Sequence, residues 1–320
     1  MANGSLLHRV LLQNEKPLTR PPGPLYVTAM PNAQNHDRST APDRIDPDNK
    51  TPGEVYLCQV SPTVSCGACC GLYNVQNPSR ETMTRMLEDR TSRFAKVPRT
   101  IEAIDHFAGD AFFRVEGQKQ PVKDFHHCPF LGLIGPGNHT VGCLLHPLGE
   151  GNAGVDWRGL SYYGSFACAT YFCPTCHELA PRYKRLIRKA ADHWYDYGLM
   201  ITETDLMGTF LAQVEDRMGR RVDDRDLEQR PEAVTRIREF LAIKTVWPFR
   251  DPAQPRLTHF FFHKKAHQPP AIGLQCPEAE ASPWAPVLTA LWSVIPSPAI
   301  LSEAESLLNR MADGLAMALK

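Results

Sequence analysis

Eight of the ten cysteines in this 320-residue chain fall between positions 66 and 176, as Cys66, Cys69, Cys70, Cys128, Cys143, Cys168, Cys173 and Cys176. Two groups, Cys66-Gly67-Ala68-Cys69-Cys70 and Cys173-Pro174-Thr175-Cys176, contain Cys-x-x-Cys pairs. Such a pair brings two sulfurs to one centre at little loop-closure cost, so the clustering reads as a thiolate cage for metal. A segment organised in this way replaces part of its missing apolar core with metal–ligand bonds. Cys69 and Cys70 are adjacent, and in extended backbone neighbouring side chains point to opposite sides. One ion has difficulty accepting both. This favours a polynuclear cluster, two neighbouring sites or one spare thiol over a single-zinc finger. Eight thiols are what two 4Fe-4S clusters or two all-cysteine zinc sites require.

Charge and hydropathy exclude other classes. Lys plus Arg and Asp plus Glu both number 35, so the formal charge is zero and no basic field points to nucleic acid. The first residues lack a cationic region followed by an apolar core and a small-residue cleavage site, so a cytoplasmic setting is expected. In that reducing compartment clustered cysteines favour metal over disulfides. The longest apolar stretch, residues 287–295, carries Thr289 and Ser293 and is closed by Pro286 and Pro296. It falls well short of the roughly 18 residues of a membrane span. A soluble chain with neither a membrane nor a nucleic-acid partner is expected.

Along the chain the reading is a mostly helical α+β fold in three parts. Residues 1–53 form an irregular Pro-rich N-terminal arm. Residues 54–179 form a Cys-rich, loop-dominated metal- or cluster-binding domain, and residues 180–320 a helical domain with one short strand. Asn77-Pro78 opens a helix whose apolar stripe is Met83, Met86, Leu87 and Phe94, ended at the latest by Pro98. Residues 101–115 read as helix or strand, and from Phe125 to Cys176 periodicity is lost. A helix over residues 181–197 carries Tyr183, Leu186, Ile187, Ala190 and Trp194 and stops at Gly198. Thr202 with Asp205 resembles a capping box for a helix ending at Gly219, and residues 231–243 repeat the apolar pattern. Arg256 to His263, with three consecutive phenylalanines, is the best strand of this half. Ser302 with Glu305 caps a last helix bearing Leu308, Met311, Leu315 and Leu319.

Shorter motifs leave several chemistries open. Cys168-x4-Cys173-x2-Cys176 has the spacing of a plant-type two-iron loop, without the strand pattern of that fold. Cys173-Pro174-Thr175-Cys176-His177 fits covalent haem attachment, and its first four residues fit a dithiol redox motif in which a helix start lowers the first thiol's pKa. Two metal ligands is the preferred reading. His127, His146 and His177 lie close to cysteines and could complete a mixed site. His259, His263 and His267 recur every four residues and read as the polar side of a strand. Cys58 and Cys276 are solitary and read as structural. Residues 156–164 mix a carboxylate, a guanidinium and aromatics, and read as a turn covering the metal from water. No Gly-x-Ser-x-Gly, His-Glu-x-x-His or phosphate-cradling glycine loop is present, so no catalytic residue is assigned.

Cys66-Gly67-Ala68-Cys69-Cys70, Cys128-Pro129-Phe130-Leu131, Gly142-Cys143-Leu144-Leu145-His146-Pro147 and the later Cys168 together resemble the bacterial Cys-x-x-Cys-Cys family of zinc- or iron-chelating (iron-sulfur cluster) proteins, YkgJ-type. The resemblance covers about residues 55–180 and implies cytosolic metal or cluster binding by those cysteines. Thr63 stands where the fuller family pattern has a further cysteine, and His146 where it commonly has arginine. A ligand is then either absent or supplied by Cys58. The expected function is metal binding, as one or two iron-sulfur clusters serving electron transfer or structure. A zinc-stabilised protein-interaction module is the alternative and a metal-dependent enzyme the third reading. A redox or protein partner is expected on the helical C-terminal half.

Overall fold

A computed structural model of the chain describes residues 47–116, 120–123, 125–259 and 275–320. Most of the expected N-terminal arm and the phenylalanine run from Phe260 onward lie outside the described residues. So do His263 and His267. The described residues belong to one compact unit. It is mostly helical, with one two-stranded sheet among them.

Ser79, rather than Asn77, caps the first helix by accepting a hydrogen bond from the Thr82 amide, and α1 runs over Arg80–Phe94. Its buried stripe is Met83, Leu87, Arg90 and Phe94, so an arginine sits where helical spacing asks for an apolar residue. The ambiguous segment after Pro98 is helical, as α2 over Ile101–Glu116. The stretch read as irregular contains a hairpin, β1 over Leu131–Ile134 and β2 over Thr140–Cys143, antiparallel with Leu131 opposite Cys143. Its connection turns through Gly135 and Gly137, both at positive φ, which glycine adopts without the strain a Cβ brings. Two short helices follow, α3 over Gly164–Thr170 and α4 over Pro174–Glu178.

The helix expected over residues 181–197 is two helices, α5 over Pro181–Ala190 and α6 over Trp194–Met200. The chain becomes extended at Ala191, and the His193 side chain accepts from the Tyr195 amide to start α6. Gly198 therefore lies inside α6 and ends nothing. Its role is steric: a Cβ there would come within 2.1 Å of the Tyr73 hydroxyl, which hydrogen-bonds the Trp194 and Tyr195 carbonyls. Gly198→Ala is expected to destabilise the unit by about 1–3 kcal/mol through overpacking. Urea melts of both proteins check this, and an unchanged midpoint would refute it.

Helix α7, Thr204–Met218, stops at Gly219 in the left-handed conformation as expected. Its proposed cap is not formed: the Thr202 hydroxyl accepts from the His259 amide instead. The remaining helices are α8 (Pro231–Leu241), α9 (Ile243–Val246), α10 (Pro277–Glu280), α11 (Ala285–Ala290) and α12 (Pro298–Ala318). Ser297 caps α12, with Pro298 at its first position, so Ser302 and Glu305 lie inside the helix. Residues 256–259 are not strand.

Two large apolar cores result. One gathers α5, α7, α8, α11 and α12, with Phe210 stacked on Phe240 at 3.9 Å between centroids. The other joins α1, α2 and the hairpin around Phe94, Phe107 and Phe130. Both are shared across position 180. Val55, Leu57 and Val64 lie in the first, while Trp194, Tyr195 and Leu199 lie in the second.

Candidate thiolate site

Six of the clustered cysteines pack on these two cores. Cys66 packs against both, Cys173 and Cys176 against the first, and Cys70, Cys128 and Cys143 against the second. Backbone hydrogen bonds tie distant segments together there. The Cys66 amide donates to the Cys58 carbonyl at 2.8 Å, and the Cys128 amide to the Cys70 carbonyl at 2.8 Å. The second bond depends on Gly71, at φ 75°, because a Cβ there would sit 2.2 Å from the His126 carbonyl oxygen. The hairpin then carries Cys143 back beside Leu131.

Electrostatic neighbours divide the thiols into two sets. Cys69 acts on Cys58 and Cys66, and Cys173 on all three. Cys58 acts in turn on Cys176. Separately, Cys70 feels Cys128 and Cys143, which both feel Cys168. Cys69 and Cys70 join the sets, being neighbours of each other while each also has electrostatic neighbours of its own. They lie in a 3-10 turn, Ala68–Cys70, where successive side chains diverge by about 120°. The sequence argument for divergence assumed extended backbone, and the turn produces the same separation differently.

Burial is the largest cause raising most of these thiols. It pushes Cys58 and Cys128 up to about 12 and Cys143 to about 11, with neighbouring thiolates adding repulsion. Two thiols move the other way because a partner donates to them. The Cys70 hydrogen bond lowers Cys69, and the Cys176 hydrogen bond lowers Cys173 to about 6. Gathering thiols therefore opposes their ionisation, and only a cation among them reverses that cost.

The histidines do not join either set. His127 is buried with both nitrogens engaged, Nδ1 donating to the Gly71 carbonyl at 2.7 Å and Nε2 accepting from Arg90 at 2.9 Å. His146 Nδ1 accepts from the Leu148 amide, and His177 is exposed. Cys276 stands apart, buried in the first core and donating to Glu278 at 2.9 Å. Cys58, read as solitary, joins the first set.

The shell is tyrosine-rich. Tyr56, Tyr73, Tyr171 and Tyr197 surround the first set, and Tyr163 approaches the second. Over the second set, Asp156 and Arg158 form a two-point ion pair, and Trp157 packs on the core. Cys69 and Cys168 are exposed, and the Ser161 hydroxyl lies 3.2 Å from the Cys168 sulfur.

Sequence reasoning missed two buried cations at this site. Arg90 on α1 donates to the Cys128 carbonyl at 3.2 Å and to His127. Lys184 on α5 donates to the Gly53 and Cys176 carbonyls at 2.5 and 2.7 Å. Desolvation lowers both from their usual values, Arg90 to about 10. Of the groups that pull them back up, Cys128 leads for Arg90 and Cys176 for Lys184. The available signal was their position on otherwise apolar helix stripes.

Among the described residues no three Cys, His, Asp or Glu side chains stand in an arrangement that holds a single metal ion. A cleft of about 460 Å3 beside α1 and the hairpin, lined in part by Glu88, Arg99 and His139, contains no cysteine. No protein-family model, curated protein or solved structure matches the chain.

Proposed function

We propose that this protein binds metal through two neighbouring all-thiolate centres, as iron-sulfur clusters serving electron transfer or structure. The first centre draws on Cys58, Cys66, Cys69, Cys173 and Cys176, and the second on Cys70, Cys128, Cys143 and Cys168. The observation that carries this reading is that six cysteines from distant segments pack on the two cores, with Cys66 against both, and that Cys58, Cys69 and Cys168 are their electrostatic neighbours. Ordinary buried cysteines have no reason to gather, since ionised thiols repel and neutral ones gain no more from each other than from leucine. Exclusion of His127 and His177 leaves sulfur as the dominant donor, the preference of iron sulfide and zinc.

Zinc held by the same thiols, as a structural module, is the alternative. A single tetrahedral zinc sets its sulfurs about 3.8 Å apart, given Zn–S bonds of about 2.3 Å. A polynuclear cluster takes its thiolates on several irons rather than one. The resemblance to the YkgJ-type family of zinc- or iron-chelating (iron-sulfur cluster) proteins fits either metal. Electron transfer would need a redox partner, and the exposed thiol Cys168 beside exposed Phe166 is the second centre's nearest approach to solvent.

The test is anaerobic purification followed by a visible spectrum and iron, sulfide and zinc per chain. Broad absorption near about 400 nm with iron and acid-labile sulfide is the expected result. A colourless protein holding zinc would replace the cluster by the zinc module, and no metal at all would overturn both. Cys276→Ser is expected to retain the full metal content, because among the described residues its thiol donates to Glu278 and not to another cysteine.

A further inference from the structure

Arg90 is 2% exposed and Lys184 fully buried, yet neither has a carboxylate within ion-pairing distance among the described residues. Lys244 is paired with Glu203, Arg182 with Glu215, Arg188 with Asp48 and Arg158 with Asp156, while the less buried Arg99, Arg250 and Arg256 donate to carbonyl or amide oxygens. Arg90 is bound only to a carbonyl and to His127, whose Nε2 accepts and is therefore unprotonated. Lys184 is bound only to two carbonyls. Carbonyl dipoles satisfy the donors but carry no charge, and the neighbouring carboxylates, Asp89 for Arg90 and Glu54 for Lys184, form no ion pair with them; a buried charge without a close partner is strongly disfavoured. Each carbonyl cradle contains a cysteine of a different set, Cys128 under Arg90 and Cys176 against Lys184. One unpaired cation thus accompanies each group of thiols.

We propose that Arg90 and Lys184 are the resident counter-charges of the two centres, Arg90 for the Cys128 centre and Lys184 for the Cys176 centre. Each strengthens the binding of an anionic metal–thiolate group at its own centre only. The inference rests on the thiolate reading above and adds to it the partition of charge. A metal or iron-sulfur group held by four thiolates carries net negative charge, and the fixed cation offsets it where water cannot. Without metal the cation has less to offset, since burial keeps most of these thiols protonated.

Anaerobic titration of the reduced, metal-free full chain with cobalt(II) tests this, read by thiolate-to-cobalt charge-transfer absorption. The wild type is expected to fill two classes of site. Arg90→Met should weaken one class roughly tenfold or more, and Lys184→Met the other, the range typical of groups that support metal ligands. Arg90→Lys, which keeps the charge, should restore most of the loss. Metal-free Arg90→Met and Lys184→Met should melt no lower than the metal-free wild type, whereas cations that merely brace carbonyls would lower melting without metal. Unchanged affinity of both classes in both methionine variants, or equal weakening of both classes by each, overturns the counter-charge assignment while leaving the thiolate centres standing. A wild type that takes up no cobalt overturns the centres and the assignment together.

Discussion

On the proposed two-centre reading, Cys70→Ser is expected to remove metal from the Cys128 centre and Cys69→Ser from the Cys176 centre, although the two residues are adjacent. Each single variant should keep the metal of the other centre, with the loss more complete in Cys70→Ser because its centre has four candidate thiols and the other five. The reason is the 3-10 turn over Ala68–Cys70, which aims one thiol toward Cys173 and the other toward Cys128 and Cys143. Cys143→Ser should reproduce the Cys70 result and Cys176→Ser the Cys69 result. Metal analysis of the four variants, with hydrogen exchange over residues 125–176, reads the outcome. Loss of the Cys128 centre should loosen the hairpin region, because binding energy of a structural metal is also folding energy. Complete metal loss in Cys69→Ser alone and in Cys70→Ser alone would mean one shared centre and would end the two-centre assignment.

The cysteine pool was legible in the sequence because short spacings place thiols together whatever the rest of the chain does. Its division was not. That depends on Gly71 letting residues 126–128 pass against the turn, and on a hairpin whose strands pair Gly132 with Gly142. Two facing glycines give short strands little β-propensity, although Gly135-Pro136-Gly137-Asn138 was a readable turn signal. Helix α1 was legible from the period of Met83, Leu87 and Phe94, and the interior of α12 from Leu308, Met311, Leu315 and Leu319. The starts of helices were less so. Ser297 and Ser302 are both plausible caps, and Pro298 decides between them by fitting the first helical position. Arg90 was read past because a charge on a helix is usually solvated. Its place between Leu87 and Phe94 on the buried stripe was the clue.

Glu203→Leu is expected to destabilise the unit by about 3–5 kcal/mol, the cost of leaving a buried cation unpaired. Lys244 is 4% exposed in its side chain and donates to Glu203 at 2.5 Å and to the Leu199 and Leu257 carbonyls. With the carboxylate gone, the ammonium faces only dipoles, the situation in which Lys184 and Arg90 already stand. Combining Glu203→Leu with Lys244→Met should recover much of the loss, since a buried ion pair replaced by apolar groups of similar volume is often neutral. Urea melts of the two single variants and the double supply the cycle. A double variant as unstable as Glu203→Leu alone would show that the carboxylate acts through packing rather than charge. The same melts in chelator and in metal separate this cation from the other two. The partner of Lys244 is a permanent carboxylate, so the Glu203→Leu penalty should not depend on metal. The partners assigned to Arg90 and Lys184 are groups of thiols, most of them raised by burial, that gain negative charge when a metal displaces their protons, so their contribution should change with loading.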